Sequence, residues 1–190
     1  EVTRMIKEAG IDLSQIEPEA LDMPFGLSSG AAAIFGVTGG VTEAVLRRLV
    51  HSSRMEDLQD ISFTGIRGIE GIKEASIQLE DRTVKIAVVN GLRCAETLLE
   101  RIKAGEVQYD FVEVMACPGG CAGGGGQPIH DGLELACQRG QKLYALDKGS
   151  QLRFSHENPA IVQIYDKFLD RPLSHKSHEL LHTRQAEWDL

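Results

Sequence analysis

The chain has 190 residues, of which 42% are hydrophobic and 25% are charged, and its formal net charge is −8. A chain of this length and composition can bury a hydrophobic core, and a single domain is the expectation. The acidic balance argues against nucleic acid or an anionic membrane surface as a partner, because both select clusters of Lys and Arg. No apolar run approaches the ~18 residues that a membrane-spanning helix needs.

The first predicted element is a helix over residues 2–9, where apolar side chains recur at helical spacing and Gly10 follows as a stop signal. The chain opens at Glu1, inside this helix, and not at a methionine. We therefore expect it to be a piece of a longer protein. Within the piece we expect one domain over residues 1–190, with an α/β core over 1–150 and a helical C-terminal extension over 151–190.

A glycine-punctuated segment over residues 34–49 predicts a second amphipathic helix. We expect Thr38 to be its N-cap, and the apolar face to consist of Val41, Ala44, Val45 and Leu49. The glycine spacing does not match the common nucleotide-binding loops, and no Lys follows the glycines. A phosphate-binding loop is therefore the weaker interpretation.

The middle of the chain predicts a sheet. Residues 74–79 alternate in polarity and predict a strand, and residues 84–89 predict a second one. The polar turn between them indicates a hairpin. A predicted helix over 94–104 then leads to a short apolar strand over 111–115. Strand, helix and strand in about thirty residues are typical of a βαβ unit with parallel strands. We therefore expect an α/β fold in which a small, mostly parallel sheet is flanked by helices.

A glycine-rich loop follows that last strand and contains Cys117 and Cys121, with four consecutive glycines at 123–126. Open α/β sheets bind their ligands beyond the carboxyl ends of the strands, which is where this loop lies. Glycines also allow backbone N–H groups to approach anionic sulfur closely, and such hydrogen bonds tune iron–sulfur centres.

Three interpretations of the cysteine pair remain open from spacing alone. A disulfide across so short a loop stabilises little and needs an oxidising compartment. Structural zinc needs four ligands, and the other two cysteines, Cys94 and Cys137, are isolated in predicted helices where a buried thiol acts as a small hydrophobe. An iron–sulfur ligand pair fits the glycines and the preceding strand, although a [4Fe–4S] cluster also needs four ligands.

The remainder of the chain predicts helices over 133–147, 160–169 and 173–183. The last of these places His175, His178 and His182 roughly on one face. A polar helix face is the favoured interpretation over a metal site, since no carboxylate or cysteine is placed to complete a ligand set.

Two long motifs give the chain a specific resemblance. The segment EVMACPGGCAGGGGQP at 113–128 closely resembles the last of the three cysteine signatures of [FeFe]-hydrogenases, E-x-M-x-C-x-x-G-C-x-x-G-G-G-Q-P. The segment IFGVTGGVTEAVLR at 34–47 is similar to the family's I-F-G-x-T-G-G-V-M-E-A-x-L-R, with Thr42 where the family usually has Met. SHENP at 155–159 and LSHKSHELLH at 173–182 resemble its C-terminal helices, so the resemblance covers essentially the whole chain.

The resemblance implies roles for residues around the cysteine loop. Cys117 is expected to ligate the [4Fe–4S] part of the H-cluster, and Cys121 to ligate it and bridge to the two-iron subcluster where hydrogen is made or split. Met115 is expected to place its thioether against the two-iron unit. Phe35 and Gly36 are expected to wall the same pocket and exclude water. We also expect the glycine loop to have no packing of its own.

The family's two earlier signatures, of the kinds T-S-C-C-P and M-P-C, are absent from this sequence. The resemblance therefore implies the C-terminal lobe of the catalytic domain, inactive alone and without a bound cluster. It implies two partners, the N-terminal lobe and a ferredoxin-type electron donor or acceptor, with self-association through the exposed lobe interface as a further expectation. The implied location is cytoplasmic, with the periplasm as the alternative.

Two other functions fit the resemblance. A narf-like iron–sulfur cluster assembly protein resembles the family without a two-iron unit. A sensory relative shares the cluster and has a regulatory output.

Overall fold

The computed structural model describes residues 1–20, 22, 26–49, 67–68, 71–78, 82–129 and 135–182. The helices are α1 (Val2–Glu8), α2 (Gly30–Ala33), α3 (Gly40–Leu49), α4 (Leu92–Lys103), α5 (Ala136–Gly149), α6 (Pro159–Ile164) and α7 (His175–Leu181). The strands are β1 (Ile72–Gln78), β2 (Thr83–Asn90) and β3 (Phe111–Met115). Within these ranges no helix combines the length and the apolar character that crossing a membrane requires.

The three strands form one sheet in the order β1-β2-β3. β1 pairs with β2 in antiparallel orientation and β2 pairs with β3 in parallel orientation, which confirms the predicted hairpin and the predicted βαβ unit. The α/β class is confirmed, but the sheet over the described residues is mixed and not mostly parallel. A connection of a few residues can only join antiparallel neighbours, so the hairpin itself makes one of the two strand pairs antiparallel. Residue 79 of the first predicted strand and residues 80 and 81 of the predicted turn lie outside the described residues.

β2 is the centre of the fold because both of its faces are buried. One face packs against α3 and the C-terminal region in a cluster of Leu46, Val84, Ile86, Val88 and Phe154. The other face packs against α4 in a cluster of Ala87, Val89 and Leu98. A strand buried on both sides reads as a nearly continuous apolar run, which is the pattern that made β2 predictable.

Most predicted helices lie where the sequence placed them, with shifted ends. Gly10, at φ 67°, follows α1 as predicted, and α4 begins two residues earlier than predicted. Helix α6 is capped by the side chain of Asn158 and continues as a π-helical turn over Tyr165–Leu169. For α5 and α7, residues 133, 134 and 183 of the predicted ranges lie outside the described part of the chain.

The start of α3 differs from the prediction. Thr38 is not the cap, since its hydroxyl donates to Asn90 Oδ1 at 3.2 Å. The buried carboxylate of Glu113 in β3 accepts instead, from the Gly39 N–H at 2.6 Å and from the N–H and hydroxyl of Thr42, both at 2.7 Å. A negative charge at a helix N-terminus satisfies free N–H groups and complements the helix dipole. Because this cap comes from 74 residues along the chain, a scan for local caps could not find it.

The buried face of α3 is also different from the predicted one. Thr42, Glu43, Leu46 and Arg47 are buried. The predicted apolar residues Val41, Ala44 and Val45 are half-buried, and Leu49 is 40% exposed. The helix turns its charged stripe inward because that stripe finds charged partners in the protein interior.

Those partners form a buried ionic cluster around Arg47. Its guanidinium donates to both oxygens of Asp147, at 2.8 and 2.7 Å, and to Glu43 Oε1 at 2.6 Å. Arg153 donates to Asp147 at 2.7 Å, and Arg67 donates to Glu43 at 2.8 and 2.9 Å. Burial alone would lower the pKa of Arg47, but its hydrogen bonds with Asp147 and Glu43 raise that pKa above its ordinary value.

The cluster joins the C-terminal segment to the rest of the fold. Arg47 also donates to the backbone carbonyl of Arg153 at 3.1 Å. Beside it, the N–H groups of Gly30 and Ala31 donate to the carbonyls of Leu152 and Arg153 at 2.7 and 3.2 Å. The N-terminus of α2 is therefore satisfied by the chain that follows α5.

We expect Arg47→Met to lower the free energy of unfolding by about 3–5 kcal/mol. It removes the cation that two buried carboxylates share and leaves Glu43 only Arg67, and Asp147 only Arg153. Urea unfolding measures the loss. The matched control is Arg4→Met, which breaks a solvent-exposed pair with Glu8 of the same i,i+4 spacing, and there the midpoint should hardly move. Equal effects in the two variants would contradict a stabilising role for the buried cluster.

Acid unfolding tests the same cluster through Asp147. Burial alone would raise the pKa of this carboxyl, but hydrogen bonds from Arg47 and Arg153 hold it below its ordinary value of 3.8. A lowered folded-state pKa contributes stability above the unfolded pKa, and that contribution is lost as the pH falls through the folded pKa. We expect the free energy of unfolding to decline below about pH 4, and less steeply in Asp147→Asn. Identical acid slopes in the two proteins would contradict this assignment.

Candidate metal centre

The cysteine loop leaves β3 as a series of tight turns. The Gly120 N–H donates to the Cys117 carbonyl at 2.9 Å, and Gly119 and Gly120 have φ of 84° and 73°, a left-handed backbone that favours glycine. A 3₁₀ turn over Gly120–Gly123 follows. The Cys121 carbonyl then accepts from the Gly124 N–H at 3.1 Å and from Gln127 Nε2 at 3.0 Å. Both cysteines are free thiols, and both are exposed.

A second loop, over residues 34–39, packs directly against the first. A Cβ on Gly120 would lie 2.8 Å from the Gly36 carbonyl oxygen and 3.0 Å from the Thr38 nitrogen, so the two backbones touch only because Gly120 has no side chain. A Cβ on Gly36 would lie 3.2 Å from Leu143 Cδ1 and 4.0 Å from Cys121 Cβ. The structure thus brings Gly36 and Cys121, two of the residues singled out from the sequence, into one place.

The cysteine loop has an apolar base of its own. Ala122 is buried with Ile34 and Val37, and Leu143 and Tyr144 of α5 pack against them. Arg139 donates to the Ala122 carbonyl at 2.9 Å and also to the Pro128 carbonyl. The expectation that the glycine loop lacks packing is wrong, because Ala122 and the glycine backbone fit between the second loop and α5.

Asn90, the last residue of β2, connects the two loops. Its Oδ1 accepts from the Gly119 N–H at 2.9 Å in the cysteine loop and from the Thr38 hydroxyl at 3.2 Å in the second loop. Asn90 is 9% exposed. Sequence reasoning missed it, although a polar residue at the carboxyl end of a buried strand, next to the cysteine loop, is a signal that could have drawn attention to it.

Met115 and Phe35, which were also singled out from the sequence, lie at the edges of the same loops. Met115 ends β3 at the register position beside Asn90, and its carbonyl accepts from the Gly91 N–H at 2.7 Å. Its side chain is partly buried. Phe35 lies in the 3₁₀ turn Ile34–Gly36 and is 46% exposed.

The other two cysteines and the C-terminal histidines do not add metal ligands to Cys117 and Cys121 within the described residues. Cys94 is half-buried against the cluster of β2 and α4, whereas Cys137 is exposed on α5 and so is not the small buried hydrophobe we expected. His178 and His182 approach each other at 3.1 Å between their Nδ1 atoms, and His175 Nδ1 lies 3.9 Å from Glu179. Across the described residues, no three His, Cys, Asp or Glu side chains stand close enough to hold a metal ion.

Tyr144 lies between the apolar base of the loop and the ionic cluster. Its hydroxyl is buried without a hydrogen-bond partner among the described residues, and the Arg67 guanidinium lies 4.4 Å from the centre of its ring. Burial, and then the nearby charge of Glu43, raise the pKa of Tyr144 to about 12. The phenol is therefore neutral at physiological pH, and it does not add a negative charge to the region behind the cysteines.

The residues of this site can therefore offer two exposed soft sulfur ligands on a fixed backbone. Thiolates of this kind hold iron in iron–sulfur clusters and hold zinc in structural sites. A closed four-ligand site would need two more ligands than this pair supplies.

Comparison with known proteins identifies the family. Residues 1–125 match the family described as iron only hydrogenase large subunit, C-terminal domain, and residues 133–185 match the family described as iron hydrogenase small subunit. The chain is 49% identical over 184 residues to the NADP-reducing hydrogenase subunit HndD of Solidesulfovibrio fructosivorans, covering 96% of the chain and 31% of that protein. It is 31% identical over 194 residues to cytosolic iron-sulfur assembly component 3 of Rattus norvegicus, covering 97% of the chain and 39% of that protein.

A solved structure gives the same result for the fold. A variant of the [FeFe]-hydrogenase HydA1 from Chlamydomonas reinhardtii superposes with a TM-score of 0.68 at 39% identity, covering 97% of this chain and 53% of that one. The chain spans about a third of the length of the curated relatives it matches. The chain belongs to the iron-only hydrogenase large-subunit family, and its residues 1–125 match the family's C-terminal domain.

Proposed function

We propose that this chain is the C-terminal lobe of an [FeFe]-hydrogenase catalytic domain and that Cys117 and Cys121 are two of the cysteine ligands of its H-cluster. The parent protein would interconvert H₂ with protons and electrons. The observation that carries the proposal is the pair of exposed thiols on a glycine loop, with Gly36 of the second family motif beside Cys121, where a Cβ on Gly36 would lie 4.0 Å from Cys121 Cβ.

The chemistry of these residues fits half of a cubane site. Two thiolates supply two of the four ligands that a [4Fe–4S] cluster takes, and no third candidate ligand joins them within the described residues. Gly36 leaves open the space that a side chain would fill beside Cys121. When bound, the cluster supplies the redox chemistry with hydrogen, and the protein supplies sulfur ligands, shape and exclusion of water.

Individual residues are proposed to act as follows. Cys117 ligates the cubane. Cys121 ligates it and also bridges to the two-iron subcluster, which a thiolate can do because sulfur has lone pairs for two metals. Met115 places its thioether near the two-iron unit, and Phe35 and Gly36 form a wall of that pocket. The exposure of Phe35 in this chain is consistent with a wall that faces a second lobe.

The missing ligands are proposed to come from the N-terminal lobe of the same catalytic domain. The chain matches only about a third of its hydrogenase relatives, so their remaining length has room for that lobe. Apolar side chains on β3, Val112 and Val114, are exposed here and offer a surface for it. Without that lobe we expect the chain to be inactive, to bind no complete cluster and to self-associate through this surface.

A ferredoxin-type protein is the proposed electron partner of the parent protein. The cytoplasm is the proposed location, with the periplasm as the alternative.

A role in iron–sulfur cluster assembly is the second candidate. It is favoured by the 31% identity to cytosolic iron-sulfur assembly component 3 over 97% of the chain. The higher identity to HndD favours a hydrogenase, as does Met115 within the complete glycine motif. An assembly protein would hold a cubane through the same cysteines without a two-iron unit.

Iron and sulfide content after anaerobic reconstitution tests the ligand assignment. We expect little iron in this chain alone, because two cysteines cannot hold a cubane. Joined to the upstream lobe of a hydrogenase relative, it should bind about four cubane irons. Cys117→Ser and Cys121→Ser should each remove most of that iron, since each deletes a ligand.

The matched controls are Cys137→Ser, which changes another exposed thiol, and Cys94→Ser, which changes a half-buried one. Both should keep the iron of the wild type. Four irons in the chain alone, or equal losses in the control variants, would overturn the assignment. Iron beyond that of the cubane, lost in Cys121→Ser, would favour a hydrogenase over an assembly protein.

A further inference from the structure

We infer that Asn90 is the positioning residue that fixes the cysteine loop relative to the Phe35–Gly36 loop. Its functional meaning rests on the proposed function, since those two loops are the ones proposed to face the cluster. The inference about the chain itself rests only on contacts among the described residues.

One atom makes the connection. Asn90 Oδ1 accepts from Gly119, which lies between the two cysteines, and from Thr38, which follows Gly36 by two residues. An amide oxygen has two lone pairs and can accept both hydrogen bonds at once. The position of this atom therefore sets the position of both loops.

Asn90 is itself held firmly by the sheet. Its N–H donates to the Gly71 carbonyl at 3.0 Å, and the neighbouring Gly91 N–H donates to the Met115 carbonyl at 2.7 Å. The first bond holds the end of β2 to the residue that precedes β1, and the second holds it to the end of β3, where the cysteine loop begins. The side chain therefore projects from a rigid strand and not from another loop.

The donors that Asn90 satisfies are buried. Thr38 is 3% exposed, and Gly119 is buried as well. Replacing Asn90 by an apolar residue would leave a hydroxyl and an N–H without these bonds in the interior, which is unfavourable. The two loops also touch at Gly120 and Gly36, so they cannot shift independently while Asn90 holds both.

Glu113 has a different task. Its carboxylate fixes the start of α3 through Gly39 and Thr42. Glu113 therefore joins the end of the second loop to β3. Asn90 instead joins the second loop to the cysteine loop.

Amide hydrogen exchange of the reduced, metal-free chain, resolved by NMR, tests the inference. In Asn90→Ala, we expect exchange of the Gly119 amide to rise about tenfold more than that of the Val88 amide in the core of β2, because one net hydrogen bond is lost locally. Asn90→Asp keeps an acceptor oxygen and should restore most of the protection. The matched control is Asn158→Ala, which removes a buried asparagine that caps α6, and it should not raise Gly119 exchange beyond that of Val88.

Thr38→Val gives a second test that does not depend on the folding of Asn90→Ala. Val is close in shape to Thr and removes only the hydroxyl donor. If Asn90 couples the loops, Gly119 exchange should rise about threefold relative to Val88, although Thr38 donates nothing to Gly119. Equal changes at Gly119 and Val88 in both variants, or no rescue by Asn90→Asp, would overturn the inference. Because no metal is used, this result stands apart from the iron measurement that decides the proposed function.

Discussion

The site depends on the contact between two glycine-bearing loops, and that contact depends on polar side chains from the sheet. Asn90 at the end of β2 and Glu113 within β3 supply acceptor oxygens for N–H and hydroxyl groups of the loops. The sheet is rigid because β2 is buried on both faces. The loops are held by this sheet and by the apolar base around Ala122, Ile34 and Val37. Gly120 then allows an approach of the two backbones that a Cβ at this position would prevent.

A second polar structure holds the C-terminal segment in place. The cluster of Arg47, Glu43 and Asp147 is buried and densely hydrogen-bonded, and it connects α3 to α5. Such clusters add little net stability compared with an apolar core, but they penalise any arrangement in which one partner is missing. The cluster therefore favours one placement of α5. Helix α5 also supplies Leu143 and Tyr144 to the base of the cysteine loop. The position of α5 therefore helps to fix the position of the candidate metal centre.

The sequence predicted the local elements of the fold well, since periodic and β-branched segments carry their own signal. β3 was predicted at its observed bounds, and β2 to within one residue at each end. The hairpin and the parallel strand pair followed from the spacing of the predicted elements. Long-range polar contacts were not predictable, because they join residues that are far apart in the chain. Examples are the cap of α3 by Glu113, the pairing of Arg47 with Asp147 and the contact of Asn90 with Gly119. The motif around Cys117 and Cys121 indicated the site because its residues are adjacent in sequence, whereas the residues that position it are not.

Anomalous diffraction at the iron edge would show whether Cys117 and Cys121 hold the iron–sulfur cluster. The crystal would contain this chain joined to the upstream lobe of a hydrogenase relative and loaded with iron under anaerobic conditions. We expect iron at bonding distance from the sulfur atoms of both Cys117 and Cys121, and we expect the Phe35–Gly36 loop to lie beside that iron. Iron bound elsewhere, or a disulfide between the two cysteines in the iron-loaded protein, would contradict it.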